Sequence, residues 1–257
     1  MTQFIKLPVR VDKPSVSLDC LANESSDSST SLAAQDNGSF LEAAAEHLRR
    51  GAPPNKKHAQ DETRETARQI ELLRAWASEK GCVISPERLS EFRLVSEGTS
   101  EHKVFFDPAR NRAIKQTLPG QFGWFPKLDH SRWTLGIATP LDYLERWILF
   151  NIIFADDVRL EGVTLQGGTI IIGQKTEPLS LIISQRWHPA DDPNHPAPTE
   201  TEISMFLHKL GFYPLPNSFY GWQRPEDGIV ILDARPDNFI KTRDGIAPID
   251  LPLTRKH

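Results

Sequence analysis

Three side chains near the end of the chain could do chemistry together. They lie in Gly228-Ile-Val-Ile-Leu-Asp233-Ala-Arg-Pro-Asp-Asn238 and in the run that closes on Asp250. An apolar strand precedes Asp233, a polar loop carries Asn238, and a second strand, a turn and a third apolar run end on Asp250. A carboxylate, a carboxamide and a second carboxylate at this spacing could hold a hydrated divalent cation and orient a hydroxyl, the chemistry of phosphoryl transfer. A lysine that could serve the same chemistry stands upstream in Ala113-Ile-Lys115-Gln-Thr117. On the interior of a strand it either points to solvent or reaches a phosphate across the sheet face.

The elements that must position these groups are readable from periodicity. Residues 1–39 contain a possible strand, Phe4 to Val11, and then Ser- and Asn-rich sequence, which predicts an extended or disordered segment. Ser39 with Glu42 is spaced as a capping box for a helix from Phe40 to Arg50. A longer helix is predicted from Asp61 to Lys80, where Ala67, Ile70, Leu73, Trp76 and Ala77 recur at helical spacing. No Gly-rich phosphate motif precedes Gly98, so residues 40–90 are assigned a structural, helical role. From Phe92 the period shortens, and 92–97, 103–107 and 113–117 read as a three-stranded antiparallel meander. Residues 119–140, rich in Gly, Pro and aromatics, read as an ordered loop. Thr139-Pro140 opens a helix to about Phe154. Strands are predicted at Val158–Leu165, Thr169–Ile172 and Leu179–Ser184. Thr199 and Glu202 form a second capping box for the last helix, which Gly211 stops.

Composition limits the partners. The 257 residues carry a net charge of −4, with no global basic field, which disfavours nucleic acid as a partner. The short basic clusters Arg49-Arg50 and Lys56-Lys57-His58 read as solvated linker. Cys20 and Cys82 are far apart and form no zinc pattern or disulfide framework. His188 and His195 flank Asp191-Asp192 in a Pro-rich loop that reads as surface rather than metal site. The most apolar run, 147–155, is far shorter than the roughly 20 residues that span a bilayer. The expectation is a cytoplasmic protein with no membrane partner.

The order of these pieces resembles the protein-kinase-like superfamily. Asp233-Ala-Arg-Pro-Asp-Asn238 resembles the catalytic loop, Asp250 the metal-binding aspartate of the D-F-G element, and Ala113-Ile-Lys115 the V-A-I-K strand. Glu101-His-Lys-Val-Phe, Asp142-Tyr-Leu-Glu-Arg, Asp157-Val-Arg-Leu-Glu-Gly162, Ser184-Gln185 and Gly211-Phe212 are similar to the kinase-like domains of phage and mobile-element polyvalent proteins. The likeness spans about residues 60 to 251. It implies an α+β, two-lobed kinase-like fold with a truncated C-lobe, preceded by N-terminal helices. The N-lobe would cover 91–184 and a minimal C-lobe 185–257. It implies ATP and Mg as cofactors and an unknown protein or small-molecule substrate with a hydroxyl to phosphorylate.

The resemblance also implies roles. Lys115 would neutralise ATP phosphates, paired with Glu145, for which Glu161 is the alternative partner. Asn238 and Asp250 would ligate magnesium, and Asp233 would take the hydroxyl proton. Gly98 would bring backbone amides to the phosphates, and Ser184 and Gln185 would offer hinge groups to adenine. Several features depart from the family pattern. Ile231-Leu232 replace the His-Arg before the aspartate, Leu-Pro follows Asp250, and only one glycine marks the phosphate loop. Seven residues follow Asp250 in this sequence, so no activation segment is expected. The same chemistry leaves open a silent, nucleotide-binding scaffold.

Overall fold

The computed structural model describes residues 38–51, 59–97, 101–165 and 178–256. The expected Thr169–Ile172 strand, the Phe4–Val11 strand and Gly98 therefore lie outside the described residues. Helices α1 (Gly38–Arg50), α2 (Ala59–Lys80) and the short α3 (Pro86–Ser90) lead into strands β1 (Arg93–Ser96), β2 (His102–Asp107) and β3 (Arg112–Thr117). A hairpin of β4 (Trp124–Asp129) and β5 (Arg132–Ile137) precedes α4 (Pro140–Phe154), which leads to β6 (Arg159–Leu165) and β7 (Leu179–Arg186). Then come α5 (Glu200–Lys209), β8 (Tyr213–Pro214), β9 (Trp222–Arg224), β10 (Ile229–Ile231), a 3₁₀ turn at Pro236–Asn238, β11 (Phe239–Thr242), β12 (Gly245–Pro248) and β13 (Leu253–Arg255). The protein is thus a mixed α/β fold, with five α-helices among the described residues and its strands in antiparallel sheets.

The main sheet has the order β1-β2-β3-β7-β6. All six residues of β3 are buried, because both faces of the sheet are covered. One face, through Phe105, Ile114 and Ile182, packs under α3 at Leu89. The other meets α4. That helix forms as its sequence dictates. Thr139 Oγ1 accepts from the Asp142 amide at 3.2 Å, and the Asp142 carboxylate accepts from the Thr139 amide at 2.9 Å. Pro140 occupies the first turn, and Ala155 ends the helix in the left-handed conformation. Its buried positions Tyr143, Arg146, Trp147 and Phe150 recur at i, i+3, i+4 and i+7, the spacing of one helix face.

Helices α1 and α2 share this core rather than standing apart. Leu41, Ala44, Ala45 and Leu48 of α1 and Leu73, Trp76 and Ala77 of α2 join Trp147 and Phe150 in one cluster. Gln69, fully buried on α2, accepts from the Leu141 amide at 2.9 Å and so satisfies an orphan donor in the first turn of α4. Its amide in turn donates to Glu65 at 2.9 Å.

Residues 119–140 hold a hairpin where an ordered loop was expected. His130 (φ 43°) and Ser131 (φ 72°) form its two-residue tip. Both are left-handed, as hairpin twist requires, and neither is the Asn or Gly that adopts it readily. Ser131→Gly should therefore stabilise the protein by about 1 kcal/mol. Gly162 presents the opposite case. It sits at φ 152° in a bulge of β6, where Val163 donates to the Cys82 carbonyl at 3.0 Å and accepts from Ile84 at 2.7 Å. A Cβ at Gly162 would overlap the Cys82 carbonyl oxygen. Gly162→Ala should cost about 2 kcal/mol or more. Urea denaturation midpoints at constant m-value check both changes.

Candidate functional site

Lys115 and Asp250 are brought together by the sheet and the closing hairpin. β3 pairs with β7 so that Lys115 faces Ile183 and Ala113 faces Gln185. Side chains alternate along a strand, so Lys115, Ala113 and Gln185 share the face turned toward α4. Lys115 does not reach solvent: it is 5% exposed, and its ammonium lies 4.9 Å from the centroid of the Trp147 ring. It donates to the backbone carbonyl of Ile249, the residue before Asp250. Burial lowers its pKa, and the Asp250 charge only partly offsets that.

Asp233, Asn238 and Asp250 also converge. Asn238 Nδ2 donates to the Asp233 carbonyl at 2.7 Å and approaches its carboxylate at 3.3 Å. The Asn238 carbonyl accepts from Ile249 at 2.9 Å and from Asp250 at 3.4 Å. The loop is thus tied to the residue that carries the second carboxylate. Asp233 itself is left-handed at φ 57°, a costly conformation for a residue with a Cβ, and one that clusters at functional sites. The Asn238 bond and a bond from the Arg235 amide at 2.8 Å hold it there. Arg235 Nε lies 2.6 Å from the Asp233 carboxylate.

The expected lysine–glutamate pair does not form. Glu145 lies on the side of α4 turned to α1, where it accepts from Arg49 at 2.9 Å. A helix advances 100° per residue, so the neighbour Arg146 takes the inward position instead. The alternative partner, Glu161, sits beyond the other face of the sheet, bonded to Ser184 at 2.5 Å and to Arg110 at 3.0 Å. Ser184 points away from Lys115 for the same period-two reason, and its carbonyl accepts from Arg112 at 3.0 Å. Gln185 does face the site, donating to Asp156 at 2.6 Å.

Arg146 is the residue that sequence reasoning missed. It is 1% exposed and bridges two carboxylates: Glu101 at 2.5 Å and Asp250, to which its second terminal nitrogen donates. Its guanidinium carbon lies 4.9 Å from the Trp147 ring centroid, so that ring is flanked by two cations. His102 completes the shell. It shares a 2.8 Å hydrogen bond with the Tyr143 hydroxyl, and its Nδ1 is 3.6 Å from Asp250. Burial alone would raise the Asp250 carboxyl, but Arg146, with His102 and Lys115 behind it, holds it far below the ordinary range. Burial likewise pushes against the charge on Arg146, and Glu101 and Asp250 outweigh it. The signal was present in the sequence, because a stripe drawn from Tyr143 at i+3, i+4 and i+7 passes through Arg146.

Glu101, His102 and Asp250 offer three ligand atoms within 4.8 Å of one another. That cluster is already neutralised: two carboxylates face the two cations Arg146 and Lys115. A divalent ion there would have to displace the guanidinium. No family model, curated protein or solved structure matches the chain.

A buried pair broken from one side leaves an uncompensated charge, so Arg146→Met should cost about 3–5 kcal/mol. Glu145→Ala removes only a partly exposed pair and should cost less than about 1 kcal/mol. The sign with pH follows from the depressed Asp250 carboxyl. Its pairing contributes fully above the ordinary aspartate pKa of about 3.9 and is lost as the pH falls below it. The stability gap between the native protein and Arg146→Met should therefore shrink between pH 7 and pH 3 in urea titrations.

Proposed function

We propose that the chain is an atypical kinase: a phosphotransferase that uses a magnesium nucleotide, ATP by preference, and moves the γ-phosphate to a hydroxyl of a protein or small molecule. One observation carries this reading. Lys115 on the central strand contacts the backbone beside Asp250, and Asp250 is tied to an Asn238–Asp233 loop whose aspartate is held left-handed. The strand order β1-β2-β3-β7-β6, with α4 between β3 and β6, supports a two-lobed kinase-like arrangement. No helix among the described residues is long and apolar enough to cross a membrane.

The residues present fit the cofactor. Asn238 spends its Nδ2 on Asp233, and its Oδ1 would be the oxygen that joins the Asp250 carboxylate as a ligand. Magnesium prefers such hard oxygen ligands and keeps several waters. When bound, it would neutralise charge on the transferring phosphoryl group. Lys115 would exchange the Ile249 carbonyl for a phosphate oxygen. Asp233 would orient the acceptor hydroxyl and take its proton. Arg146 would have to release one Asp250 oxygen first.

That last requirement favours a second reading. With Lys115 bonded to backbone and Asp250 bonded to Arg146, the same fold serves as a nucleotide-gated or silent scaffold. The two readings separate in one assay, incubation with magnesium and γ-labelled ATP, alone and with lysate. Activity predicts label transfer that Asp233→Ala reduces at least about a hundredfold, as expected for loss of a general base. A scaffold predicts magnesium-dependent ATP binding without transfer. Lys115→Met should weaken nucleotide binding in either case. If ATP binds neither the native protein nor Arg146→Met, the nucleotide reading fails.

A further inference from the structure

The buried cation at the centre of the site uses only part of its hydrogen-bonding capacity. A guanidinium offers N–H donors along flat edges that match paired oxygens. Arg146 Nη1 donates to Glu101 at 2.5 Å, and Nη2 donates to Asp250 Oδ1. Nε shares an edge with Nη2, and among the described residues it is buried with no hydrogen-bond partner. Buried donors are almost always paired, and leaving one unpaired costs free energy. Arg146 is therefore an exception at the point where the two candidate metal and phosphate groups, Asp250 and Lys115, meet.

The geometry explains why Asp250 does not fill the edge. An arginine–carboxylate pair commonly uses both oxygens against two donors. Here Asp250 Oδ2 is turned toward His102, 3.6 Å from Nδ1, and only Oδ1 reaches the guanidinium. A fork of two donors thus meets one oxygen. The two carboxylates on Arg146 also differ in access. The Glu101 side chain is 8% exposed and that of Asp250 27%, so an incoming anion meets Asp250 first. Displacing Asp250 opens Nη2 and Nε together, while Glu101 keeps the guanidinium compensated.

The chemistry of the edge selects the anion. A carboxylate has only two oxygens, and the fork would consume both. A phosphate presents two oxygens to the fork and keeps another for a metal ion or a second cation. A nucleotide carries several phosphates in a row, so one can meet Arg146 while another meets Lys115. We propose that Arg146 is a phosphate-binding residue of the nucleotide site, whose Nε–Nη2 edge takes two oxygens of a nucleotide phosphate while Nη1 stays on Glu101. The displaced Asp250 carboxylate is then free to serve as the hard oxygen ligand that magnesium prefers. Phosphate binding and metal ligation become one exchange at one guanidinium. The proposal rests on the nucleotide reading and deepens it: the contact that closes the site is the contact that recognises the ligand.

The test uses the full chain, isotope-labelled for NMR of arginine Nε–H groups, with magnesium and a non-hydrolysable ATP analogue. Adenosine is the phosphate-free control. The Arg146 Nε–H signal, assigned by its loss in Arg146→Lys, should shift with the analogue and stay in place with adenosine. In calorimetry, Arg146→Met should bind the analogue at least about tenfold more weakly than the native chain, and adenosine equally well. Arg146→Lys keeps the charge but not the fork, and its affinity for the analogue should fall between the two. If Arg146→Met does not fold, the native Nε–H signal and Arg146→Lys decide. An unmoved Nε–H signal in the analogue complex, or tighter analogue binding by Arg146→Met, overturns the proposal and leaves the nucleotide reading standing, with Arg146 a gate on Asp250 alone. Absence of binding by both the analogue and adenosine overturns the nucleotide reading and this proposal with it.

Discussion

The structure depends on one buried pairing, Arg146 with Asp250 and Glu101. It joins three segments that are distant in sequence: the start of β2, the inward face of α4, and the end of the β11–β12 hairpin. A guanidinium suits this role, because its fork of donors meets two carboxylates at once, whereas an ammonium is a point charge. Its burial cost is met by that double pairing and by the Trp147 ring. Removing any one partner would strand a charge in the core. The remaining cation, Lys115, keeps the cluster balanced and ties it to the backbone beside Asp250.

The N-terminal helices are part of this arrangement rather than an appendage. Gln69 fixes the first turn of α4, and Arg49 pairs with Glu145 on its outer side. α4 is therefore held from outside by α1 and α2 and from inside by Asp250. The axial position and roll of Arg146 are set by residues more than seventy positions away in sequence. The structural role expected for residues 40–90 is thus specific: these helices position the helix that carries the central cation.

Much of this was legible in the residues. Thr139-Pro140-Leu-Asp142 and Thr199-Glu-Thr-Glu202 announced their helices, because a capping box satisfies orphan amides locally and needs no tertiary help. The grouping of Asp233, Asn238 and Asp250 followed from strand ends and loops, and Lys115 joined them through the kinase-like resemblance. The hairpin at 124–137 did not. Pro126 argues against a strand, and a His-Ser tip lacks the Asn-Gly chemistry that signals a turn. What stabilises it is nonlocal, the packing of Trp133 on Leu215, Val230 and Leu232. Glu145 missed the inward position by a single residue, the place that Arg146 takes. Chemistry at a helix or strand depends on facing, and one step turns a side chain 100° on a helix or to the other face on a strand.

The Lys115–Ile249 bond gives the site an internal competitor. A phosphate that seeks the ammonium must displace a carbonyl held in place by the fold, not a water drawn from bulk. The apparent affinity for any anion then equals its intrinsic affinity scaled by the fraction of molecules in which that bond is open. Whatever biases α4 or the β11–β12 hairpin changes that fraction without touching the ligand. On the nucleotide reading proposed above, affinity would then depend on how often the lysine is released as much as on what it then holds.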